Sequence, residues 1–265
     1  MPEGHTVHRT ATKFKELFAG QPLMVESPQG RFAAGAKSVS GQTLVNARAI
    51  GKQMFLEFNN VLTLRIHLGI YGKWTFLTHG GELPEATGQV RARFSNQHAL
   101  ADLRGPTVCE VISHHEVAVV EQRLGPDPLN PNPRGKELER FIQRVSKSKT
   151  PIGLALMNQD VISGIGNVYR AEILFRAGIS PHTAGSALSV EQLTQLWNDS
   201  VKLLRVGVKT GFMITRDELF TKGPSKEDRN FVYKREGLPC RNCGTNISLE
   251  MMAARKLYWC VNCQA

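Results

Sequence analysis

The sequence predicts a multidomain α+β protein with an N-terminal antiparallel β-sandwich and a flanking helix, then a helical domain, then a short C-terminal ribbon. Three observations lead to this class. Within residues 61–68, the side chains from Leu62 onward alternate strictly between apolar and polar, as in a half-buried strand. Beyond residue 136 the apolar positions recur with a period of about 3.6, which indicates helices. The last 26 residues hold four of the five cysteines.

The flanking helix is predicted directly after the N-terminus. Val7, Ala11, Phe14 and Phe18 recur at helical spacing and share one apolar face. Gly20 then ends the segment, because glycine is a poor helix former.

Strands are expected over most of the chain between residues 43 and 120. Besides 61–68, the strand-like stretches are 43–49, 54–58, 72–77, 90–95 and 107–120. Asn59-Asn60 suits a tight hairpin, since asparagine tolerates a positive φ. These strands predict an antiparallel sandwich as the first domain, residues 1–124.

A proline-rich segment marks the domain boundary. Residues 124–135 contain four prolines in twelve residues, which is typical of a stiff linker, and the linker is placed at 125–135. Thr150-Pro151 is expected to begin one of the helices that follow. Ser189 and Gln192 form a capping-box pattern ahead of another. The helical domain is assigned to residues 136–222.

The cysteines form two C-x2-C pairs separated by sixteen residues: Cys240 with Cys243, and Cys260 with Cys263. This spacing predicts a zinc ribbon over residues 231–265, in which four thiolates complete a tetrahedron and leave no position for water. The one Zn²⁺ is therefore structural. The alternative is two disulfides in a secreted protein. The leftover Cys109 and the lack of a recognisable signal peptide argue against it.

The charge balance points to a polyanionic partner. The formal net charge is +10, and the isoelectric point is near 9.6. Combined with a zinc ribbon, this favours nucleic acid. No apolar run approaches the roughly 18 residues that a membrane helix needs, so we expect a soluble protein.

The first residues could carry chemistry. Initiator methionine is usually removed before a small residue, which would leave Pro2 with a secondary amine. An α-amino group titrates near about 8, so part of it is a neutral nucleophile at neutral pH. Glu3 beside it could supply a proton. From these residues alone, an ordinary disordered start is the simpler interpretation.

A second candidate site lies at Gly164-Ile165-Gly166-Asn167. Two glycines allow a sharp turn, and the helix that follows opens with backbone N–H groups that can bind a phosphate, to which Asn167 could add a donor. A plain helix–helix turn explains the same pattern equally well.

Taken together, these motifs resemble the Fpg/Nei family of bifunctional DNA glycosylases over essentially the whole chain. The motifs occur in the family order: Met1-Pro2-Glu3-Gly4, His67-Leu68-Gly69, Leu124-Gly125-Pro126-Asp127-Pro128-Leu129, Gly164 to Tyr169, and the cysteine pairs. The resemblance implies that the helical domain is a helix-two-turn-helix domain.

The resemblance assigns catalytic roles to four residues. Pro2 matches the family nucleophile, which forms a Schiff base with C1′ of the damaged nucleotide, and Glu3 matches its acidic partner. Lys52, at a turn between two strands, matches the lysine that reaches the phosphate and sugar of the lesion. Arg255, five residues before Cys260, matches the ribbon-tip arginine that clamps the flanking phosphates. Without the family, Lys52 and Arg255 would be interpreted as solvated loop residues.

Five further residues are expected to contact DNA. Asn167 matches the family asparagine that contacts backbone phosphate, and Arg123 and His67 resemble additional contacts. Ile70 and Tyr71 stand where the family places the wedge that fills the gap left by a flipped base. Their alternative role is as core residues of a strand.

The details favour the Nei (endonuclease VIII) branch. The stretch from His67 to Trp74 and the glycine after Glu3 look more like that branch, and a long glycine-rich loop before the ribbon is not evident. Both points favour oxidised pyrimidines such as thymine glycol and 5-hydroxycytosine. One departure is Thr6, which stands where many members carry a second glutamate, and this substitution could narrow the substrate range.

The resemblance therefore implies a bifunctional DNA glycosylase/AP lyase of base excision repair, which flips out an oxidised base, removes it through Pro2 and cleaves the strand by β,δ-elimination. A non-catalytic damaged-DNA-binding protein and a glycosylase for 8-oxoguanine or formamidopyrimidine stay open as alternatives. The expected partner is damaged DNA, with no membrane contact. The expected state is a monomer, in the bacterial cytoplasm and associated with the nucleoid through DNA.

Overall fold

The computed structural model describes residues 2–80 and 82–265. It divides into two compact units, of which the first ends at Arg123 and the second runs from Leu124 to Ala265. Within the described residues, no helix combines the length and the apolar character that crossing a membrane requires.

The described residues of the first unit form two four-stranded antiparallel sheets and three helices. Its elements, in chain order, are α1 (Gly4–Phe18), β1 (Met24–Glu26), α2 (Ala33–Val39), β2 (Leu44–Ile50), β3 (Gln53–Phe58), β4 (Thr63–His67), β5 (Lys73–Thr78), β6 (Val90–Ser95), β7 (Ala99–Arg104), β8 (Val108–Ile112) and α3 (His114–Arg123). One sheet has the order β1-β6-β7-β5 and the other the order β2-β3-β4-β8. The predicted fold class of an antiparallel sandwich with a flanking helix is confirmed here.

The apolar face of α1 lies in the core of this unit. Phe14 and Phe18 are fully buried, and the Phe14 ring meets Trp74 edge-on at 4.7 Å between centroids. The rings of Phe76 and Phe94 also lie against Phe14, at 5.5 and 5.7 Å. Aromatic pairs of this geometry stabilise the fold by more than the burial of their apolar area alone would. The helix is thereby fixed against the strand that follows the 68–72 loop.

The β2–β3 turn has a geometry that glycine favours. Ile50 pairs with Gln53 across it, so Gly51 and Lys52 are the two turn residues. Gly51 lies in the left-handed region, with a φ of 58°, and Lys52 does not. A two-residue hairpin with a positive φ at its first position matches the right-handed twist of the strands. This turn presents Lys52.

The structure differs from the sequence expectations at several points. The strand predicted over 107–120 ends at Ile112, and residues from His114 onward form α3 instead. The strands β1 and β7 and the helix α2 were not predicted. The hairpin at 59–61 is present, but the positive φ falls on Val61 (61°) and not on an asparagine.

The second unit is helical up to residue 210 and ends in a two-stranded ribbon. Its elements are α4 (Lys136–Ser146), α5 (Ile152–Ala155), α6 (Asn167–Ala177), α7 (Val190–Thr210), β9 (Ser248–Met252) and β10 (Arg255–Trp259). The capping box at Ser189 and Gln192 is confirmed, with both reciprocal hydrogen bonds formed. Pro151 is the residue before α5 and not its first helical residue.

The start of the predicted linker is packed into the second unit. Residues 124–128 are buried. The Ser163 N–H donates to the Pro126 carbonyl at 3.0 Å, and the Ser163 hydroxyl donates to the Gly125 carbonyl at 2.9 Å. A Cβ on Gly125 would lie 2.6 Å from the Val161 carbonyl carbon, so this close approach requires glycine.

Candidate functional site

A narrow cleft in the first unit brings together three of the predicted site residues. Pro2, Lys52 and His67 all line it. Pro2 precedes α1, Lys52 is in the β2–β3 turn, and His67 ends β4. Because Gln53 pairs with His67 in the sheet, the turn that carries Lys52 is fixed beside His67. A basic amine and an imidazole therefore flank the residue predicted to be the nucleophile.

Glu3 lies at the start of α1 and is fully buried. Its backbone carbonyl accepts the Thr6 N–H at 2.9 Å, which fixes the first turn of the helix. Pro2 is consequently attached to a rigid element, and the adjacent carboxyl group is shielded from bulk water.

His67 is held in one orientation by the loop that follows it. Its Nδ1 accepts the Gly69 N–H at 3.2 Å and lies 2.8 Å from the Thr107 hydroxyl. Burial lowers the pKa of His67, and the positive charges of Lys52 and Arg65 lower it further. The ring is therefore neutral at neutral pH. With Nδ1 as an acceptor, the proton is assigned to Nε2, which makes Nε2–H a donor.

The loop over 68–72 depends on two glycines. Gly69 has a φ of 65°, and a Cβ there would lie 2.3 Å from Thr107 Cγ2. A Cβ on Gly72 would lie 2.2 Å from the Leu68 carbonyl oxygen. This tight loop exposes its tip: Ile70 is 41% and Tyr71 85% exposed. Both are placed on the surface and not in the core, which suits a wedge.

A cavity of about 340 Å³ lies beside Pro2. It is lined in part by Thr6 and Thr10, which are one helical turn apart on α1, and by Trp74 and Phe76 of β5. The Thr10 hydroxyl donates to the Thr6 carbonyl at 2.8 Å, so its lone pairs can still accept. The Trp74 indole N–H is buried and has no hydrogen-bond partner among the described residues. Aromatic faces and polar groups with free hydrogen-bonding capacity are the features of a site that binds a planar, polar ring.

The remaining predicted DNA contacts lie outside these two cavities. Arg123 is exposed as the last residue of α3. Arg255 is the first residue of β10, and its side chain makes no hydrogen bond or ion pair with any residue that the structure describes. Asn167 is the first residue of α6 and is only 5% exposed. Its Nδ2 donates to the Lys256 carbonyl oxygen at 2.8 Å.

The four ribbon cysteines converge. Their sulfur atoms all lie within 4.8 Å of one another, with 3.9 Å between Cys240 and Cys263 and 3.5 Å between Cys243 and Cys260. A tetrahedral zinc with Zn–S bonds of about 2.3 Å needs sulfur atoms about 3.8 Å apart. The donor set and its spacing fit one Zn²⁺, which would hold the ribbon together and leave no open coordination position.

Comparison with known families agrees with this geometry. The sequence model for the formamidopyrimidine-DNA glycosylase N-terminal domain matches residues 1–109, and the model for the formamidopyrimidine-DNA glycosylase H2TH domain matches residues 124–218. The chain belongs to the Fpg/Nei family of DNA glycosylases. The resemblance inferred from the sequence motifs is thereby confirmed.

Relatives within the Fpg/Nei family carry the name of one branch. The chain is 43% identical to "Endonuclease 8 1" of Mycobacterium tuberculosis (strain ATCC 25618 / H37Rv), over all of both chains. It is 28% identical to "Endonuclease 8" of Escherichia coli (strain K12 / DH10B), again over all of both chains.

Solved structures of the Fpg/Nei family share the fold. A Lactococcus lactis Fpg in complex with DNA that contains an abasic site is 21% identical, with a TM-score of 0.80 over 99% of both chains. A second complex of L. lactis Fpg, with DNA containing N7-benzyl-Fapy-dG, has a TM-score of 0.81 at 22% identity over 99% of both chains.

Several residues at the candidate site were missed from the sequence. Thr107 orients His67, and Trp74 with Thr10 lines the cavity beside Pro2. No local pattern marks Thr107, because its contact with His67 spans 40 positions. Thr10 offered a signal, since it follows Thr6 at helical spacing on the predicted first helix.

Proposed function

We propose that this chain is a bifunctional DNA glycosylase and AP lyase that removes oxidised pyrimidines from DNA. The observation that carries the proposal is the cleft where Pro2 meets Lys52 and His67. The family membership supports a DNA glycosylase of base excision repair. The two relatives named Endonuclease 8 favour the Nei branch and, with it, pyrimidine lesions.

The first chemical step forms a covalent bond to Pro2. The neutral secondary amine attacks C1′, the C1′–N bond to the base breaks, and the base leaves with the bonding pair and takes up a proton from solvent. Glu3 is the group proposed to carry the proton of the Pro2 nitrogen to the ring oxygen O4′. The C1′–O4′ bond then opens, and a charged iminium remains between Pro2 and C1′.

Strand cleavage follows from the iminium, which withdraws electrons from the sugar. Loss of the C2′ proton expels the 3′ phosphate by β-elimination, and loss of the C4′ proton expels the 5′ phosphate by δ-elimination. Each phosphate leaves with its bonding electrons, so cations at those phosphates stabilise the departing charge. Lys52 and Arg255 are the residues proposed for this role, and His67 adds a neutral N–H donor.

The cavity lined by Thr6, Thr10, Trp74 and Phe76 is proposed to receive the flipped base. Enzymes that act on a base remove it from the stack and read it by hydrogen bonds and aromatic contacts. The threonine hydroxyls offer both donors and acceptors, which oxidised pyrimidines can match. Ile70 and Tyr71 are proposed to fill the gap in the duplex.

The remaining parts support DNA binding. The helix-two-turn-helix domain, Arg123 and the zinc ribbon are proposed to contact the backbone, and one structural Zn²⁺ bound by the four cysteines keeps the ribbon folded. The proposed partner is damaged DNA, bound by a monomer in the bacterial cytoplasm.

Borohydride trapping tests this proposal. Purified protein from which Met1 has been removed is incubated with duplexes that carry thymine glycol, 8-oxoguanine or an abasic site, and the adduct is mapped by mass spectrometry. We expect an adduct at Pro2 on thymine glycol and on the abasic site. A Pro2→Gly variant should lose base excision and keep much of its binding.

Three other outcomes would decide against parts of the proposal. An adduct with 8-oxoguanine and none with thymine glycol would assign the enzyme to purine lesions. An adduct on the abasic site alone would leave a lyase without a base substrate. No adduct at all, together with lesion binding that Pro2→Gly leaves unchanged, would make the chain a non-catalytic damage-binding protein.

A further inference from the structure

The cavity beside Pro2 carries a positive charge at its edge. Lys73, the first residue of β5, is the only ionisable side chain among the described residues that line it. Lys73 is exposed and makes no hydrogen bond or ion pair with any residue that the structure describes. Aspartate and glutamate are absent from the described lining. The charge of this lysine is therefore not neutralised by a carboxylate of the cavity.

A second lysine stands beside the same cavity. Lys13 follows Thr10 by three residues and Thr6 by seven on α1, so the three side chains share one face of the helix. Lys13 Nζ lies 4.5 Å from the centroid of the Phe76 ring, which itself lines the cavity. The ring attracts a cation over its face, and this contact keeps the second ammonium group next to the cavity.

The walls between these lysines are neutral. Thr6 and Thr10 present hydroxyl groups, and Trp74 and Phe76 present aromatic surface. His5, whose Nε2 lies 3.2 Å from the Thr6 hydroxyl, is neutral as well, because burial lowers its pKa to about 4. The described surroundings of the cavity are therefore positive overall. Their attraction for an anion increases when a bound base displaces water and the local dielectric falls.

We propose that this cavity accepts pyrimidines that carry a negative charge, and that Lys73 selects them. The substrate class is a pyrimidine with a carboxylate at C5, such as 5-carboxycytosine, in addition to uncharged oxidised pyrimidines. A carboxylate at C5 pairs with the lysine and leaves the Watson–Crick edge of the base free for the threonine hydroxyls. This inference rests on the proposed function, in which the cavity receives the flipped base, and the excision step itself is unchanged.

Excision rates for a charged and an uncharged base test the preference. Single-turnover rates are measured at neutral pH on duplexes that carry 5-carboxycytosine, which is anionic, or thymine glycol, which is neutral. A third duplex carries a preformed abasic site. The readout is the ratio of the 5-carboxycytosine rate to the thymine glycol rate, because the intrinsic lability of each base cancels when variants are compared.

Three variants are compared with the unmodified protein. Lys73→Gln removes the cation at the edge of the cavity, and Thr6→Glu places a carboxylate inside it. Lys37→Gln removes an exposed lysine of α2 and is the matched control.

We expect the unmodified protein to excise both bases. Lys73→Gln should lower the ratio about tenfold, as the loss of one charged hydrogen bond would. Thr6→Glu should lower the ratio at least as much, since like charges repel. Lys37→Gln should keep the ratio of the unmodified protein. The loss that Lys73→Gln causes with 5-carboxycytosine should exceed any loss that it causes at the abasic site.

Three results would overturn the inference while the proposed function stands. The first is an unmodified protein that excises thymine glycol and leaves 5-carboxycytosine in place. The second is a ratio that Lys73→Gln does not change. The third is an equal loss for Lys73→Gln at the abasic site and with 5-carboxycytosine, which would make Lys73 a ligand of a DNA phosphate. An unmodified protein that excises neither base would instead show that the proposed function itself fails.

Folding of each variant is checked by thermal unfolding. Should Thr6→Glu fail to fold, Lys13→Gln replaces it, because this change removes the second cation at an exposed position of α1. Lys13→Gln should also lower the ratio, and an unchanged ratio would show that Lys13 does not contribute to the preference.

Discussion

The Thr215 hydroxyl donates a hydrogen bond of 2.5 Å to the Glu172 carboxylate, although the two residues are 43 positions apart. The same carboxylate accepts the backbone N–H groups of Phe231, Val232 and Tyr233 at 2.7 to 2.8 Å. Glu172 is fully buried. One side chain of α6 thus fastens both ends of the segment between α7 and the ribbon.

Replacing Glu172 with glutamine should strongly destabilise the second unit. The new NH2 group would face backbone donors in a place that excludes water, and a buried donor without an acceptor costs about 1–3 kcal/mol. We expect the free energy of unfolding, measured by urea titration, to fall by at least about 2 kcal/mol. Glu227→Gln, at an exposed position of the same unit, is the control and should behave like the unmodified protein. Equal urea midpoints for the two variants would show that the Glu172 carboxylate does not stabilise this segment.

His5 should make the stability of the first unit depend on pH. Burial is the main cause that lowers its pKa to about 4 from about 6.5. As the pH falls, His5 takes up a proton in the unfolded chain before it does so in the folded chain. The free energy of unfolding is therefore highest above about pH 6.5, and part of it is lost as the pH falls towards 4. The loss amounts to about 3 kcal/mol.

Urea titrations between pH 4 and 7 on the unmodified protein and on His5→Gln would measure this effect. The variant should show a clearly weaker pH dependence, whereas His98→Gln, at an exposed position, should keep the original one. If His5→Gln retains the full pH dependence, the buried imidazole is not its source.

Loss of the metal should unfold the ribbon and weaken DNA binding. Metal binding supplies folding free energy of about 10–16 kcal/mol in comparable small zinc domains. Cys260→Ser should therefore lower the zinc content, measured by atomic absorption, from one per chain to nearly none. Cys109→Ser is the matched control, because Cys109 lies outside the cluster. Zinc retained by Cys260→Ser would show that the metal is bound elsewhere.

Tyr71 should matter for duplex DNA and much less for single strands. Filling the gap stabilises the flipped state of a duplex, whereas a base in a single strand has no partner strand to leave. We expect Tyr71→Ala to slow base excision from duplex about tenfold and to leave excision from single-stranded DNA nearly unchanged. Val61→Ala removes another exposed side chain of the same unit and should change neither rate. A similar loss on both substrates would argue against a wedge.

Thr10 should affect base removal and not strand cleavage. Thr10→Val deletes a hydroxyl that lines the cavity beside Pro2, and the loss of one hydrogen bond should slow excision of thymine glycol about three- to tenfold. Cleavage at a preformed abasic site, where no base is present, should stay unchanged. Thr12→Val is closely matched, since the Thr12 hydroxyl also donates to the carbonyl four residues earlier but is exposed. Equal effects on both reactions would place the base elsewhere.

Local signals in the sequence predicted much of the fold, and the errors have physical causes. The pattern at Ser189 and Gln192 was recognised as a cap, but the same pattern at Ser113 and Glu116 was not. There the Glu116 carboxylate accepts the Ser113 N–H at 2.8 Å, and α3 begins. The valines that follow favour strands by propensity, and the cap with tertiary packing outweighs that preference.

Features that depend on contacts between distant parts of the chain could not be predicted from local patterns. The strand β7 is buried at five of its six positions, so it lacks the alternation that identifies a half-buried strand. The meeting of Lys52 with His67 depends on the pairing of β3 with β4, which spacing alone does not give. The resemblance to the family supplied the expected site, while the bonds of Asn167 to the ribbon became evident only in three dimensions.

The neutral state of His67 has a consequence for how contacts with DNA are counted. A half-buried imidazole without charge can donate its Nε2–H to a phosphate and displaces no counterion in doing so. Salt titrations register the lysines and arginines alone. A footprint of this enzyme obtained from ionic strength would therefore be smaller than the one obtained by chemical protection of the backbone, and the difference would measure its neutral donors.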